Sequence, residues 1–167
     1  VDREPGLPEL VRGLVGRGAL RATTDSTRAA EDAAVHVVIV PTLVTEENDP
    51  DLAAVTSVVS DVASGLSPGD LVVVESTVPP RTCADVIEPM LADRSGLDAG
   101  EFGVAFCPER TSSGRALADV RGTHPKVVGG VDDEATRVAE LVYGELVAND
   151  VIPVSDAATA EAVKVFE

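Results

Sequence analysis

Apolar positions along this chain fall into two kinds of segment. The first kind is a short run of β-branched and other apolar residues, which is typical of strands in a parallel sheet that is buried on both faces. The clearest examples are VHVVIVPT at 35–42 and LVVVEST at 71–77. Shorter candidate strands are GVAFC at 103–107, KVVGG at 126–130 and NDVIPV at 149–154.

The second kind of segment has apolar residues spaced by three and four, which predicts amphipathic helices. One helix is predicted within 48–65, with Asp49 as N-cap, Pro50 in the first turn and Gly65 just past the end. Its apolar face consists of Leu52, Val55, Val59 and Val62. Further helices are predicted at 79–91, with a kink at Pro89, at 132–147 and at 156–167.

Strands and helices alternate, so we predict an α/β fold with helices on both faces of a doubly wound, largely parallel sheet. A Rossmann-like unit of this kind begins with a strand and a glycine-rich turn. The sequence contains no G-x-G-x-x-G, and its glycine clusters GLVGRG and VVGG stand in the wrong context. Either a dinucleotide phosphate is held differently, or the sheet lacks its N-terminal strand and glycine-rich turn.

Polar residues follow three of the predicted strands. Thr42 ends the first run, Ser76 and Thr77 end the second, and Glu109 and Arg110 follow the third. In doubly wound sheets ligands bind beyond the carboxyl ends of the strands. These residues are therefore the candidate binding site, although loops are polar in any case.

The charge of the chain argues against nucleic-acid binding and suggests a high-salt environment. The net charge is −16, with 29 acidic and 13 basic residues, and only Lys126 and Lys164 are lysines. Such a field repels nucleic acid, and an aromatic content of 2% leaves no stacking platform for bases. Acidity with scarce lysine favours adaptation to high salt over an ordinary acidic protein. Each remaining lysine is a candidate for a specific role.

The two cysteines, Cys83 and Cys107, lie in strongly apolar segments without metal-type spacing. They predict neither a disulfide framework nor a metal site, and they favour a reducing, cytoplasmic compartment. No apolar run approaches ~18 residues and the first residues have no signal-peptide pattern, so we expect no membrane association.

Six motifs, taken in order, resemble one enzyme family. They are EPGL at 4–7, VPT at 40–42, ESTVPP at 75–80, CPER at 107–110 with GRAL at 114–117, VVGG at 127–130 and TAEAVK at 159–164. Their order resembles the UDP-glucose/GDP-mannose dehydrogenase family, and most closely its UDP-N-acetyl-D-mannosamine dehydrogenase branch. The resemblance implies NAD-dependent oxidation of the C6 alcohol of a UDP-sugar to a carboxylate, through a cysteine thioester, in the synthesis of polysaccharides or glycans. UDP-glucose and UDP-N-acetylglucosamine remain alternative substrates.

The resemblance also implies roles for individual residues. Thr42 and Thr77 match positions that contact NAD, and the position of Thr77 in the family also helps to hold a catalytic water. Glu109 matches a carboxylate of the hydrolytic step. Arg110 and Thr111 match a segment that contacts the nucleotide sugar, and Lys164 matches a lysine that binds substrate and assists alcohol oxidation.

Some features depart from the family. Ser113 stands where the family often has a second glutamate, which puts the role of that carboxylate in doubt. The family's nucleophilic cysteine lies downstream of these motifs, so we expect Cys107, like Cys83, to be structural. We predict a partial NAD-binding domain at 1–155 and, at 156–167, the start of a helix that leads to central and sugar-binding domains. The resemblance further implies a homodimer or higher homo-oligomer.

Two other interpretations remain open. The chain could be a truncated remnant that binds a nucleotide or a partner without catalysis, or a generic acidic interaction domain, which would leave the motifs unexplained. His36 and His124 are predicted to be structural. Asp119 and Arg121 are predicted to form a solvated face.

Overall fold

A five-stranded sheet forms the centre of the computed structural model, which describes residues 4–167. In chain order the strands are β1 (Val35–Val38), β2 (Leu43–Val44), β3 (Pro50–Asp51), β4 (Leu71–Val74), β5 (Gly103–Phe106), β6 (Lys126–Gly130) and β7 (Val151–Pro153). Strands β2 and β3 form a separate two-stranded sheet, and the other five form the central sheet. The helices are α1 (Leu7–Gly16), α2 (Ser26–Glu31), α3 (Ala53–Gly65), α4 (Glu88–Ser95), α5 (Ala116–Ala118), α6 (Asp133–Leu146) and α7 (Ala157–Phe166).

The order of the central sheet is β1-β4-β5-β6-β7, and three of its four pairings are parallel. Only β5 and β6 run antiparallel, with Phe106 opposite Gly129. This arrangement confirms the predicted doubly wound, largely parallel sheet. The reversal has a consequence for the site, because it brings Lys126, the first residue of β6, to the carboxyl end of β5.

Two hydrophobic cores lie on opposite faces of the sheet. Val72, Val74 and Phe106 face a core that also contains residues of α3, α4 and α7. The alternate residues Leu71 and Val73 face a second core that α6 completes. Helices therefore cover both faces, as the alternation of strands and helices predicts.

The first strand differs from its prediction. Burial alternates along β1, with His36 and Val38 buried and Val35, Val37 and the following Ile39 exposed. The strand is therefore not buried on both faces. It forms an edge of the described sheet, and α6 packs over β4 to β7 instead.

Helix α3 starts later than its sequence pattern predicts. Asp49 is not its N-cap, because the backbone oxygen of Asp49 accepts a hydrogen bond from Thr45 N (2.8 Å) in a small β2–β3 hairpin. The N-cap residue is Leu52, and Asp51 before it accepts a hydrogen bond from the backbone N of Ala53 (2.9 Å). Gly65 is the last helical residue rather than the residue beyond the end.

The predicted helix at 79–91 begins only at Cys83, and it changes from π-helical to α-helical just before Pro89, where the sequence predicts a kink. Cys83–Ile87 is π-helical and α4 follows, with Pro89 in its first turn. Proline has no backbone N–H to donate to the helical ladder, which accounts for the change of helix type at this point.

The two glycines of VVGG allow two helices to approach β6. A Cβ on Gly129 would lie 2.3 Å from the backbone O of Asp156, the residue that caps α7. A Cβ on Gly130 would lie 2.3 Å from the backbone N of Thr136 in α6. Both distances are far below van der Waals contact, so only glycine fits at these positions.

Within residues 4–167, none of the helices combines the length and the apolar character needed to cross a bilayer. The same described residues contain no group of three or more His, Cys, Asp or Glu side chains arranged to hold a metal ion.

Both cysteines are completely buried in the cores. Burial is the largest cause that raises the pKa of Cys83, and the neighbouring Glu161 carboxylate raises it further. Burial likewise raises the pKa of Cys107, although the charge of Lys126 opposes it. A thiol with a raised pKa carries little thiolate at neutral pH and is a poor nucleophile.

The contact at Gly129 yields a stability prediction with an internal control. Gly129→Ala should lower the free energy of unfolding by about 1–3 kcal/mol, because backbone must move to accept the methyl group. Gly144→Ala adds the same methyl within α6, where no heavy atom lies within 4 Å. It should raise the free energy of unfolding by about 0.5–1 kcal/mol. Guanidinium titrations measure both, and equal shifts of one sign would contradict the proposed close contact.

The burial of the thiols predicts their reactivity. In the folded protein at neutral pH, Cys83 and Cys107 should react with iodoacetamide orders of magnitude more slowly than in urea, and mass spectrometry of the labelled peptides measures both rates. Rapid labelling of Cys107 in the folded protein would contradict its structural role.

Candidate functional site at the carboxyl edge of the sheet

A single hydroxyl group joins the ends of β1 and β4. Ser76 Oγ accepts a hydrogen bond from Val40 N (2.7 Å) and donates one to Val40 O (2.8 Å). The two strands pair in parallel with Val38 opposite Val74, so the segments that carry Thr42 and Thr77 leave the same edge of the sheet side by side. Ser76 thus has a structural role at this edge.

The two lysines of the chain hold successive backbone carbonyls of the CPER motif. Lys126 Nζ donates a hydrogen bond to Pro108 O (3.2 Å), and Lys164 Nζ donates one to Glu109 O (2.6 Å). Lys126 comes from β6 and Lys164 from α7, so two separate elements meet at this loop. The expectation that the scarce lysines have specific positions agrees with this geometry.

Lys126 belongs to a buried cluster that the sequence pattern did not reveal. Its Nζ lies 2.6 Å from Glu75 Oε1 and 4.5 Å from the centre of the Tyr143 ring. The Tyr143 hydroxyl donates a hydrogen bond to the same carboxylate oxygen. Burial is the largest cause that raises the pKa of Tyr143, and the Glu75 carboxylate raises it further. The cluster fixes Pro108 and therefore the position of Glu109.

One carboxylate oxygen of Glu109, Oε1, is buried without a hydrogen-bond donor among residues 4–167. The residue as a whole is half-buried. A buried acceptor without a donor is costly in a folded protein. This oxygen therefore has the capacity for one further hydrogen bond, which a small donor such as water would supply.

Arg110 and Thr111 continue from Glu109 along an open cleft of about 300 Å³, which all three residues line together with Lys126. Arg110 is fixed by an ion pair with Glu167 Oε1 (2.5 Å) and by a hydrogen bond that it donates to Pro125 O (3.3 Å). A guanidinium group held at a cleft is suited to bind an anion such as a phosphate.

The loop after CPER is fixed by two carboxylates. Asp119 is buried and accepts a hydrogen bond from Ser112 N (3.0 Å), so the prediction that Asp119 belongs to a solvated face is wrong. Its carboxylate also lies 3.6 Å from the guanidinium of Arg115. The wrong prediction rested on the general exposure of acidic residues, whereas here the local backbone needs an acceptor.

The second carboxylate is that of Glu4, which accepts hydrogen bonds from Gly114 N (2.6 Å) and Ala116 N (2.9 Å). These bonds bring the EPGL and GRAL motifs together, although 110 residues separate Glu4 from Gly114. Sequence reasoning singled out both motifs but did not predict their contact.

The structure brings the predicted residues together only in part. Lys164, Glu109, Arg110 and Thr111 form one continuous group at the CPER loop. Thr42 is half-exposed and Thr77 is exposed, and neither lines the cleft. Within the described part of the chain, neither threonine hydroxyl has a hydrogen-bond partner. Both hydroxyls are therefore accessible to a ligand along the same edge of the sheet.

Comparison with known proteins identifies the fold and the motifs. A sequence model described as UDP-glucose/GDP-mannose dehydrogenase family, NAD binding domain, matches residues 3–147. UDP-N-acetyl-D-mannosamine dehydrogenase of Methanococcus aeolicus is 30% identical over 170 residues, which cover 100% of this chain and 36% of that protein.

Solved structures agree with the sequence comparison. NDP-N-acetyl-D-galactosaminuronic acid dehydrogenase from Methanosarcina mazei Go1 superimposes with a TM-score of 0.90 at 35% identity, covering 98% of this chain and 34% of that one. UDP-D-ManNAc dehydrogenase from Pyrococcus horikoshii also gives a TM-score of 0.90, at 30% identity, covering 98% of this chain and 38% of that one.

The chain spans 36% to 39% of the length of the curated relatives that it resembles. The matched family model covers the cofactor-binding part of the family and confirms the predicted fold and the predicted cofactor, NAD. The chain belongs to the UDP-glucose/GDP-mannose dehydrogenase family, and residues 3–147 match the NAD binding domain of that family.

Proposed function

We propose that the intact protein that contains this chain oxidises the C6 alcohol of a UDP-sugar to a carboxylate with NAD⁺. The observation that supports this proposal most directly is the meeting of Lys164 and Glu109 at the carboxyl edge of the sheet, where one carboxylate oxygen of Glu109 also lacks a hydrogen-bond donor among residues 4–167. A cation can stabilise the charge on an alcohol oxygen during oxidation, and a carboxylate can accept a proton from water during hydrolysis.

The residues at this edge fit the nicotinamide half of the cofactor. Thr42 and Thr77 present hydroxyls at the ends of adjacent parallel strands, which is where doubly wound sheets bind nucleotides. When bound, NAD⁺ accepts one hydride from C6 in each of two successive oxidations, so that two NAD⁺ are used for each carboxylate formed. The G-x-G-x-x-G turn that would hold the pyrophosphate does not occur in the 167-residue sequence.

Each remaining residue has a role that its chemistry allows. Lys164 would stabilise the negative charge that develops on the C6 oxygen. Its position is partly buried, and electrostatic stabilisation is stronger where water is excluded. Glu109 Oε1 would take a proton from the water of the hydrolytic step, and Thr77 would hold that water. Arg110 and Thr111 would orient the nucleotide sugar from the cleft.

The covalent step needs a thiolate that this chain does not supply. Cys83 and Cys107 are both fully buried, and burial raises the pKa of each thiol. We propose that the nucleophilic cysteine belongs to a part of the protein outside these residues. The same proposal makes residues 156–167 the start of the helix that connects the NAD-binding domain at 1–155 to the sugar-binding parts.

Among substrates we favour UDP-N-acetyl-D-mannosamine, because UDP-N-acetyl-D-mannosamine dehydrogenases of five different strains, at 30% to 32% identity, each match 98% or more of the chain. Relatives named NDP-N-acetyl-D-galactosaminuronic acid dehydrogenase are 33% to 34% identical, and UDP-glucose and UDP-N-acetylglucosamine remain competing substrates. A homo-oligomeric enzyme in a reducing cytoplasm, serving polysaccharide or glycan synthesis, completes the proposal. The two free cysteines agree with such a compartment.

We also propose that the protein is adapted to high salt, because a net charge of −16 on 167 residues repels itself unless it is screened. Raising KCl from a low concentration to the molar range should raise the midpoint of thermal unfolding. Sorbitol of equal osmolarity is the control, because it does not screen charge. An unchanged or lower midpoint in KCl would contradict salt adaptation.

Lys164 provides the direct test of the proposed activity. In the intact protein, Lys164→Ala should lower kcat for NADH formation from UDP-N-acetyl-D-mannosamine by about 10²-fold or more, because the charge on the C6 oxygen loses its cation. Arg137→Ala removes an equal charge from the exposed face of α6 and should leave kcat unchanged. A near-normal rate of the Lys164 variant would remove this lysine from the mechanism. Absence of NADH with every UDP-sugar would refute the activity itself.

A further inference from the structure

We propose that Glu161 is a positioning residue, which fixes the helix of Lys164 to the loop of Thr77 through one buried carboxylate. The proposal rests on the proposed function, since it assigns Glu161 to the same site. Glu161 does not touch the cleft; it acts through the two residues whose relative position it determines.

The carboxylate of Glu161 binds two backbone amides of a distant segment. Its Oε1 accepts a hydrogen bond from Cys83 N (2.8 Å), and its Oε2 accepts one from Arg81 N. The side chain is completely buried, although it is ionisable. Both carboxylate oxygens thus serve the turn that follows the ESTVPP motif.

The turn depends on this acceptor for its backbone bonding. Pro79 and Pro80 have no N–H groups, and Arg81 adopts φ 76°, in the left-handed region that a non-glycine residue seldom enters. Cys83 opens the π-helical segment, whose first amides have no partner within the helix. The Glu161 carboxylate satisfies the Cys83 amide at that helix end, where the helix dipole stabilises a negative charge.

Burial alone does not explain a glutamate at this position. An ionisable group in a core costs free energy unless it is hydrogen-bonded, and an alanine or leucine would fill a helix position without that cost. Burial is the largest cause that raises the pKa of Glu161, whereas the bonds from Cys83 and Arg81 lower it. The side chain is therefore retained against an electrostatic cost, which agrees with a specific task.

The role of Glu161 is inferred from the positions of the two segments that its carboxylate connects. Glu161 and Lys164 are one helical turn apart in α7, so they shift together when the helix moves. Arg81 lies four residues after Thr77, and the intervening segment contains the buried Val78 and the two rigid prolines. The carboxylate therefore sets the distance between Lys164 and Thr77.

The test compares Glu161→Gln with Glu145→Gln in the intact protein. Both variants lose one carboxylate, but Glu145 is exposed on α6. Glutamine keeps the volume of Glu161 and places an NH₂ group against a backbone N–H. We expect hydrogen exchange at the Arg81 and Cys83 amides to accelerate at least tenfold in Glu161→Gln and not in Glu145→Gln, with Val72 to Val74 unchanged in both.

Activity is expressed per NAD-binding site, so that loss of folded protein does not lower it. For Glu161→Gln we expect this kcat to fall about 10²-fold, as small misplacements of a catalytic group can cause. Should Glu161→Gln fail to fold, Glu161→Asp retains both acceptor oxygens on a shorter arm and should show both effects in smaller size.

The outcomes separate the two proposals. Unchanged exchange at Arg81 and Cys83 would overturn the anchoring by Glu161, whatever the enzyme does. Faster exchange with an unchanged kcat per site would reduce Glu161 to a structural residue. A wild-type protein without dehydrogenase activity would refute the proposed function and the positioning role with it, and the exchange data would still report on the anchor.

Discussion

The close backbone contact between β6 and the N-terminus of α7 is the constraint on which the candidate site depends. Gly129 has no room for a side chain against Asp156, and Asp156 in turn accepts a hydrogen bond from Thr159 N (2.7 Å) to cap α7. The contact fixes where the helix starts and therefore where its later turns lie. Lys164 reaches the carbonyl of Glu109 because the helix begins against the sheet.

Few basic residues occur in this acidic chain, and three of them lie at the carboxyl edge of the sheet. The two lysines lie on adjacent carbonyls of one loop, and Arg110 is fixed beside them. Elsewhere, carboxylates satisfy backbone amides, as Glu4, Asp119 and Glu161 each do. The acidic residues of this chain therefore include internal supports for motif loops as well as a solvated surface.

The fold class could be predicted from the sequence because each main strand and helix has a clear pattern of apolar residues, and the same residues form the tertiary contacts of the core. Strands β4 to β7 and helices α6 and α7 lie where their patterns predict. The start of α3 was misplaced, since a two-residue hairpin competes for Asp49 and leaves no separate pattern. Likewise β1 was predicted to be buried on both faces, because a β-branched run does not indicate whether it lies at the edge of a sheet.

The site was predictable to the extent that it follows from strand ends and motifs. The positions of Thr42, Thr77 and Glu109 at this edge could be predicted because the carboxyl ends of parallel strands are known to meet. Glu75, Tyr143 and Glu161 could not, since their partners lie 51, 68 and 78 residues away and no periodicity links them. Helices α1 and α2 were also missed; α1 buries no residue and α2 is six residues long.

A crystal structure of the intact protein with NAD⁺ and a UDP-sugar would test the central claim most directly. The claim is that cofactor and sugar meet at the carboxyl edge of this sheet. It predicts the nicotinamide in contact with Thr42 and Thr77, and Lys164 Nζ within hydrogen-bond distance of the C6 oxygen. A nicotinamide bound elsewhere, or Lys164 still on the Glu109 carbonyl and remote from the sugar, would contradict the account.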